Sequence, residues 1–156
     1  MVVAAKKADS IEDARGKLAL ALQDGSALKA FEQFVKAQGG NGEEIHNPEL
    51  LPAAKYVEDV ICDKEGYVAK IHTEEIGRIS LLLGGGRETK ESEIDLAVGL
   101  ILNKKHGDFV SKGESLATIH ANDLDKLALA KERLRAAYLI EAEKVEKKPV
   151  IKTVVE

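Results

Sequence analysis

The spacing of apolar residues changes near residue 57. Before that point it is helical. Ile11, Ala14, Leu18, Ala21 and Leu22 fall on one face of a helix. Ser10 stands in front of them as an N-cap, with Asp13 as the acidic partner of a capping box. Gly25 ends this helix. Ser26 is placed to cap a second one, in which Leu28, Phe31, Val35 and Gln38 share a face with Phe34 beside it. The run Gly39–Gly40–Asn41–Gly42 terminates that helix. Gly16 costs the first helix about 1 kcal/mol relative to alanine, so it marks a candidate close packing contact. Met1–Ala8 begins apolar with no capping residue ahead of it, and reads as the end of a helix.

The next stretch, with Asn41, Gly42, Asn47, Pro48 and Pro52, has the turn formers of a connector. From Val57 the period moves towards two. Tyr67, Ala69 and Ile71 alternate with Val68, Lys70 and His72, as in a half-buried strand. Strand-like apolar runs follow at Ile79–Leu83, Ile94–Leu102 and Leu116–Ile119. Glycine and charge separate them at Asp63–Gly66, Gly84–Gly86, His106–Asp108 and Lys112–Glu114. Gly99 inside the second run suggests a bulge or a tight crossing. Asn122 is placed to cap a last helix through Leu124, Leu127, Leu134 and Tyr138. Val150–Val155 alternates as a final strand. The expected class is α+β, with two N-terminal helices, a compact β unit, a C-terminal helix and a final strand. The expected divisions are a helical segment over 1–41, a linker over 42–56 and a domain over 57–156.

Composition narrows the functional classes. The 156 residues are 44% hydrophobic and 32% charged, the proportions of a globular protein with a real core. Aromatics are 4% and tryptophan is absent, so that core is aliphatic. A net charge of −4, with lysines interleaved among acids as in Glu141–Lys148, gives no field for nucleic acid. Cys62 is the only cysteine, which rules out an internal disulfide and suits a reducing cytosol. No His or Arg lies beside it in sequence to lower its pKa, so a buried structural thiol is expected. The N-terminal residues carry no secretory pattern, and no apolar run approaches the ~20 residues of a membrane span.

Gly84–Gly85–Gly86–Arg87 is the one stretch with the look of a phosphate cradle. A phosphate loop needs lysine followed by serine or threonine, yet Lys90 precedes Glu91. A dinucleotide turn needs a third glycine where Thr89 stands. Glu88, Glu91 and Glu93 would also repel phosphate. The plain reading is that these glycines allow a left-handed conformation and close backbone approach. His72 before Glu74 and Glu75 could form an acid–base pair, but a solvent-facing strand end is the simpler expectation. His46 has no ligand partner at metal spacing and is expected at the surface.

His106–Gly107–Asp108–Phe109–Val110–Ser111–Lys112–Gly113–Glu114–Ser115–Leu116 resembles the V-G-D-x-V-x-x-G-x-x-L pattern of biotinyl and lipoyl carrier domains. That resemblance implies a small two-sheet sandwich, a barrel-sandwich hybrid. Lys90 is the nearest approach to a modified lysine, in the wrong context.

A longer match is more specific. Gly86–Asn122 is similar to the C-terminal domain of bacterial pyrimidine-nucleoside phosphorylases, relatives of thymidine phosphorylase. Residues 1–41 resemble that family's helical segment ending in A-Q-G-G-[DN], and Leu50–Tyr56 has its counterpart there. Gly85 stands where the family's L-G-A-G-R has alanine, and Leu81 where methionine is common. The resemblance implies that residues 1–41 end a central α/β domain, that 57–156 form the C-terminal domain, and that Met1 is internal to the parent. The implied parent is a cytoplasmic homodimer. It splits uridine, thymidine or deoxyuridine with phosphate into base and pentose 1-phosphate. The phosphate motif K-H-S-T-G-G, the pyrimidine-binding set and the cation ligands lie upstream in the family. No catalytic, substrate-binding or metal-binding residue is therefore expected here, and no cofactor. This chain would scaffold and close the cleft, inactive alone, with the missing helical lobe and α/β domain as its partners. The candidate cleft-closure residues are Gly84, Gly85, Gly86 and Arg87. Arg87 helps hold that loop or reaches across the cleft in the closed enzyme, or else makes only an ion pair inside its own domain. The rival expectation is a non-enzymatic carrier or interaction module.

Overall fold

The computed structural model describes residues 1–147 and 149–153. Its contacts divide the chain into two compact units, Met1–Leu51 and Pro52–Glu156.

The first unit holds helices α1 (Ile11–Gln23) and α2 (Ser26–Ala37), then single 3-10 turns at Gly42–Ile45 and Pro48–Leu50. The expected Ser10 cap forms, while the returning bond of the capping box comes from the residue before the cap. The Asp13 N–H donates to Ser10 Oγ at 3.1 Å, and the Asp13 carboxylate accepts from the Asp9 N–H at 3.1 Å. Gly25 adopts φ 77° at the junction. Ser26 is not a cap but the first residue of α2, and its N–H donates to Asp24 Oδ1 at 2.8 Å. A carboxylate is the stronger acceptor, and the left-handed turn at Gly25 carries it over the helix start. Gly16 has open space where a Cβ would sit, so it marks no packing contact.

This unit has almost no core. Its buried apolar residues are Ala8 and Ala14, while Ile11, Leu18, Leu22, Phe31 and Phe34 are between 52% and 76% exposed.

The second unit is built from strands β1 (Tyr56–Ile61) and β2 (Gly66–Ile71), helix α3 (Thr73–Leu83), strands β3 (Gly99–Leu102), β4 (Phe109–Val110) and β5 (Ser115–Ala121), helix α4 (Leu124–Ala137) and strand β6 (Tyr138–Glu141). Among the described residues, two three-stranded antiparallel sheets form, ordered β1-β5-β3 and β4-β2-β6. Val60, Val68, Val110 and Ile119 from the sheets meet Ile79 of α3 and Leu134 of α4, all of them fully buried. The core is aliphatic, as the composition requires, and each such side chain contributes roughly 1.5–3 kcal/mol.

Several local expectations are corrected. Ile79–Leu83 is not a strand but the last part of α3. The helical signal begins upstream, with Glu74 and Glu75 in the first turn, where acids suit the helix dipole. Ile76, Ile79 and Leu83 then fall on one face. Read alone, five apolar residues carry no period that separates helix from strand. Only Gly99–Leu102 of the Ile94–Leu102 run is extended, and Gly99 marks neither a bulge nor a crossing, since nothing lies within 4 Å of its absent Cβ. β2 is the half-buried strand expected there, with Val68 fully buried and Tyr67, Ala69 and Ile71 partly so, and a register shift against β6 between Val68 and Lys70. Asn122 does not cap α4. Asp123 does, accepting from the Lys126 N–H at 2.9 Å. Among the described residues the last strand is β6; 150–153 of the expected Val150–Val155 strand form none, and Val154 and Val155 lie outside the described residues. Tyr138 begins β6, and its hydroxyl donates to the Lys104 carbonyl at 3.0 Å. Among the described residues, no helix is long and apolar enough to cross a membrane.

Candidate functional site

The glycine run follows α3 directly. Gly84 takes φ 108°, its N–H donates to the Leu81 carbonyl at 3.0 Å, and the Gly85 N–H donates to the Ser80 carbonyl at 2.9 Å. These two bonds are a Schellman closure, which satisfies carbonyls left open at a helix end. The left-handed backbone at Gly84 is the requirement that the plain reading of the glycines named. Space is tight at the next two positions. A Cβ on Gly85 would lie 2.8 Å from Ser80 Oγ, and one on Gly86 would lie 3.1 Å from Leu81 Cδ1.

From here the chain runs out as a charged loop and returns. The Asp95 N–H donates to the Gly84 carbonyl at 2.9 Å, so the two roots of the loop are bonded to each other. Inside it, the Thr89 N–H donates to Ser92 Oγ at 3.0 Å. Arg87 is exposed and, among the described residues, makes no ion pair or hydrogen bond. The sequence pointed to Gly84–Arg87 but missed what holds the loop. The Asp95 carboxylate accepts from the Ala97 N–H at 3.0 Å and from Asn122 Nδ2 at 2.7 Å. Asn122 Oδ1 in turn accepts from the Lys55 N–H at 2.8 Å. The Asn122 bond, then the Ala97 N–H, hold the Asp95 carboxyl below its ordinary range. No local pattern could have paired residues so far apart in the chain.

The His72 cluster lies elsewhere, in a cleft of about 420 Å³ between α3 and α4. The Glu75 carboxylate there is occupied by Arg133, whose Nε donates at 2.6 Å, and Arg78 donates to Glu74 at 2.6 Å. Arg133 holds the Glu75 carboxyl below its usual range. His72 is exposed and its ring makes no hydrogen bond among the described residues, so no acid–base pair forms. His46 is at the surface, with Nε2 3.0 Å from Glu32 Oε2. Cys62 is buried. Lys90 sits in the α3–β3 loop rather than at the tip of a hairpin, where a carrier lysine would be presented.

Residues 67–141 match the family model described as the pyrimidine nucleoside phosphorylase C-terminal domain. Residues 67–141 carry that domain. The match runs from β2 to the end of β6 and includes Arg87; β1, which pairs with β5 along its whole length, lies outside it. The chain is 51% identical over 122 residues to the pyrimidine-nucleoside phosphorylase of Geobacillus stearothermophilus, covering 78% of this chain and 28% of the relative. It is 50% identical over 125 residues to the pyrimidine-nucleoside phosphorylase of Staphylococcus aureus strain USA300, covering 80% and 29% respectively. The chain therefore spans less than a third of the length of these relatives. The glycine loop, Arg87 and the Asp95–Asn122 link thus belong to the phosphorylase C-terminal domain itself.

Proposed function

We propose that this chain serves as the C-terminal part of a pyrimidine-nucleoside phosphorylase. The parent reaction is reversible phosphorolysis of uridine, thymidine or deoxyuridine to free base and pentose 1-phosphate. The chain supplies scaffolding and cleft closure rather than reacting groups, and is inactive alone. Its partners are the helical lobe and the α/β domain of the parent, a cytoplasmic homodimer that binds phosphate and nucleoside on those parts. The first unit ends the central α/β domain. Its nearly coreless pair of helices supports this, since apolar side chains left so exposed require a covering surface.

The observation that carries the cleft-closure reading is the contrast within one loop. Its roots are bonded to each other and to Asn122 at the end of β5, yet Arg87 is exposed on it and makes no ion pair or hydrogen bond among the described residues. An intradomain ion pair would have spent that charge. A guanidinium held on an anchored loop is suited to reach a carboxylate or phosphate across a closing cleft. In the full-length phosphorylase, Arg87→Ala should raise KM or lower kcat while leaving the melting temperature in place. Normal kinetics with a lowered melting temperature would assign Arg87 to domain stability instead. Incubating the 156-residue chain alone with uridine or thymidine and phosphate should release no base, and turnover would overturn the claim of inactivity.

A further inference from the structure

Asn122 stands beside a helix start whose capping is already done by Asp123. Its side chain is spent on two bonds instead, one to a residue 67 positions away and one to a residue 27 positions away. A side-chain amide has an acceptor and a donor at a fixed separation. Here the acceptor is taken by a backbone N–H and the donor by a carboxylate, so each bond dictates the same orientation of the amide. The Lys55 N–H belongs to the short connector between the division at Leu51/Pro52 and the first residue of β1, Tyr56. The Asp95 carboxylate belongs to the returning root of the Arg87 loop, and it also holds the turn through the Ala97 N–H. Asp95 itself grips the outgoing root through the Gly84 carbonyl. Its Cβ lies 3.6 Å from where a Cβ on Gly84 would sit.

We propose that Asn122 and Asp95 are positioning residues that couple the interunit connector at Lys55 to the loop bearing Arg87. A displacement of the connector that breaks the Lys55–Asn122 bond frees the amide to rotate, which loosens its hold on Asp95 and hence on both loop roots. The connector thereby adds a distant hold on a loop whose roots are otherwise bonded within its own sequence. The importance of this for catalysis rests on the cleft-closure reading above, but the coupling itself is a property of this chain.

Amide hydrogen exchange on the 156-residue chain tests it. Asn122→Ala should speed exchange at Lys55 and, about tenfold, at Asp95 and Ala97, the loss of one hydrogen bond to a charged group. Asp95→Ala should reciprocally speed exchange at Lys55, which it does not touch. The Val68 and Ile140 amides, in the other sheet, report on global unfolding and should change little in either variant. If Asn122→Ala speeds only Lys55, or if Asp95→Ala leaves Lys55 protected, the two bonds are independent and the proposal fails. Acceleration of Val68 and Ile140 to the same degree would also overturn it, as general destabilisation. In the full-length enzyme, Asn122→Ala should shift KM or kcat in the same direction as Arg87→Ala, and the double variant should be no worse than the poorer single one. Coupled exchange with kinetics unmoved by either substitution would sink the closure reading and leave the coupling intact.

Discussion

Replacing Gly85 by alanine tests how tightly the loop root is packed. Gly85 has no positive φ, so alanine meets no backbone penalty there, and restricting the unfolded chain should stabilise by about 0.4–1 kcal/mol. Space opposes this. The new Cβ would sit 2.8 Å from Ser80 Oγ and 3.2 Å from the Ser80 carbonyl oxygen, with Val98 O next at 3.6 Å. The Ser80 carbonyl accepts from the Gly85 N–H of the Schellman closure, so this helix end cannot move far from the new Cβ and the hydroxyl is the contact that decides. Overpacking of this kind costs about 1–3 kcal/mol, so Gly85→Ala alone should lower stability by about 1 kcal/mol. Ser80→Ala removes the closest atom and leaves one contact that a shift of a few tenths of an ångström relieves. The double variant Ser80→Ala/Gly85→Ala should then recover most of the loss, with a coupling energy of about 1 kcal/mol. Urea titration of the four proteins gives each difference, and thermal melts should show a shift of about 4–8 °C for the single Gly85 variant. A stabilised Gly85→Ala, or additivity within 0.3 kcal/mol, would refute the packing argument.

Further outcomes follow from the same structure. Leu134→Ala empties a fully buried position where both sheets and α3 meet, and should cost about 2–5 kcal/mol by urea unfolding, whereas Leu22→Ala, 76% exposed, should cost almost nothing in this chain. Leu22→Glu with Phe34→Glu should leave unfolding of the second unit unchanged here, but should destabilise the full-length enzyme by at least about 2 kcal/mol if those side chains are covered there; equal melting of both full-length proteins would remove the need for a covering surface. Burial pushes the Tyr138 phenol from 10.0 up to about 12, which favours the neutral form in the folded state. Its contribution is therefore complete below pH 10 and is lost as the pH rises towards 12, where the unfolded chain has already released the proton. Ultraviolet titration should show one of the three tyrosines ionising late, and Tyr138→Phe should abolish that late step at a cost of about 1 kcal/mol. Three phenols ionising together near the ordinary value would contradict it.

What the sequence determined by itself is what neighbouring residues settle among themselves. The Ser10 cap, the Gly25 turn, the glycine stop of α2 and the turns at Gly107 and Gly113 depend on φ preferences and on hydrogen bonds reaching a few residues along the chain. They stood where the residue types put them. An aliphatic core and the α+β class followed from composition and period. Tertiary structure decided the rest. Whether Ile79–Leu83 was helix or strand depended on residues upstream of the apolar run and on α4, against which that helix packs. Asn122 had the right type and place for a cap, yet Asp123 took that role and Asn122 was drawn off by Asp95 and Lys55. The Glu75 carboxylate beside His72 went to Arg133, 58 positions away. In each case the local preference is worth about 1 kcal/mol or less, too little to resist partners that only folding brings near. For the glycine loop the division is sharp. Its conformation at Gly84 is written in the residues, but its anchorage through Asp95 and Asn122 exists only once distant strands have closed into sheets.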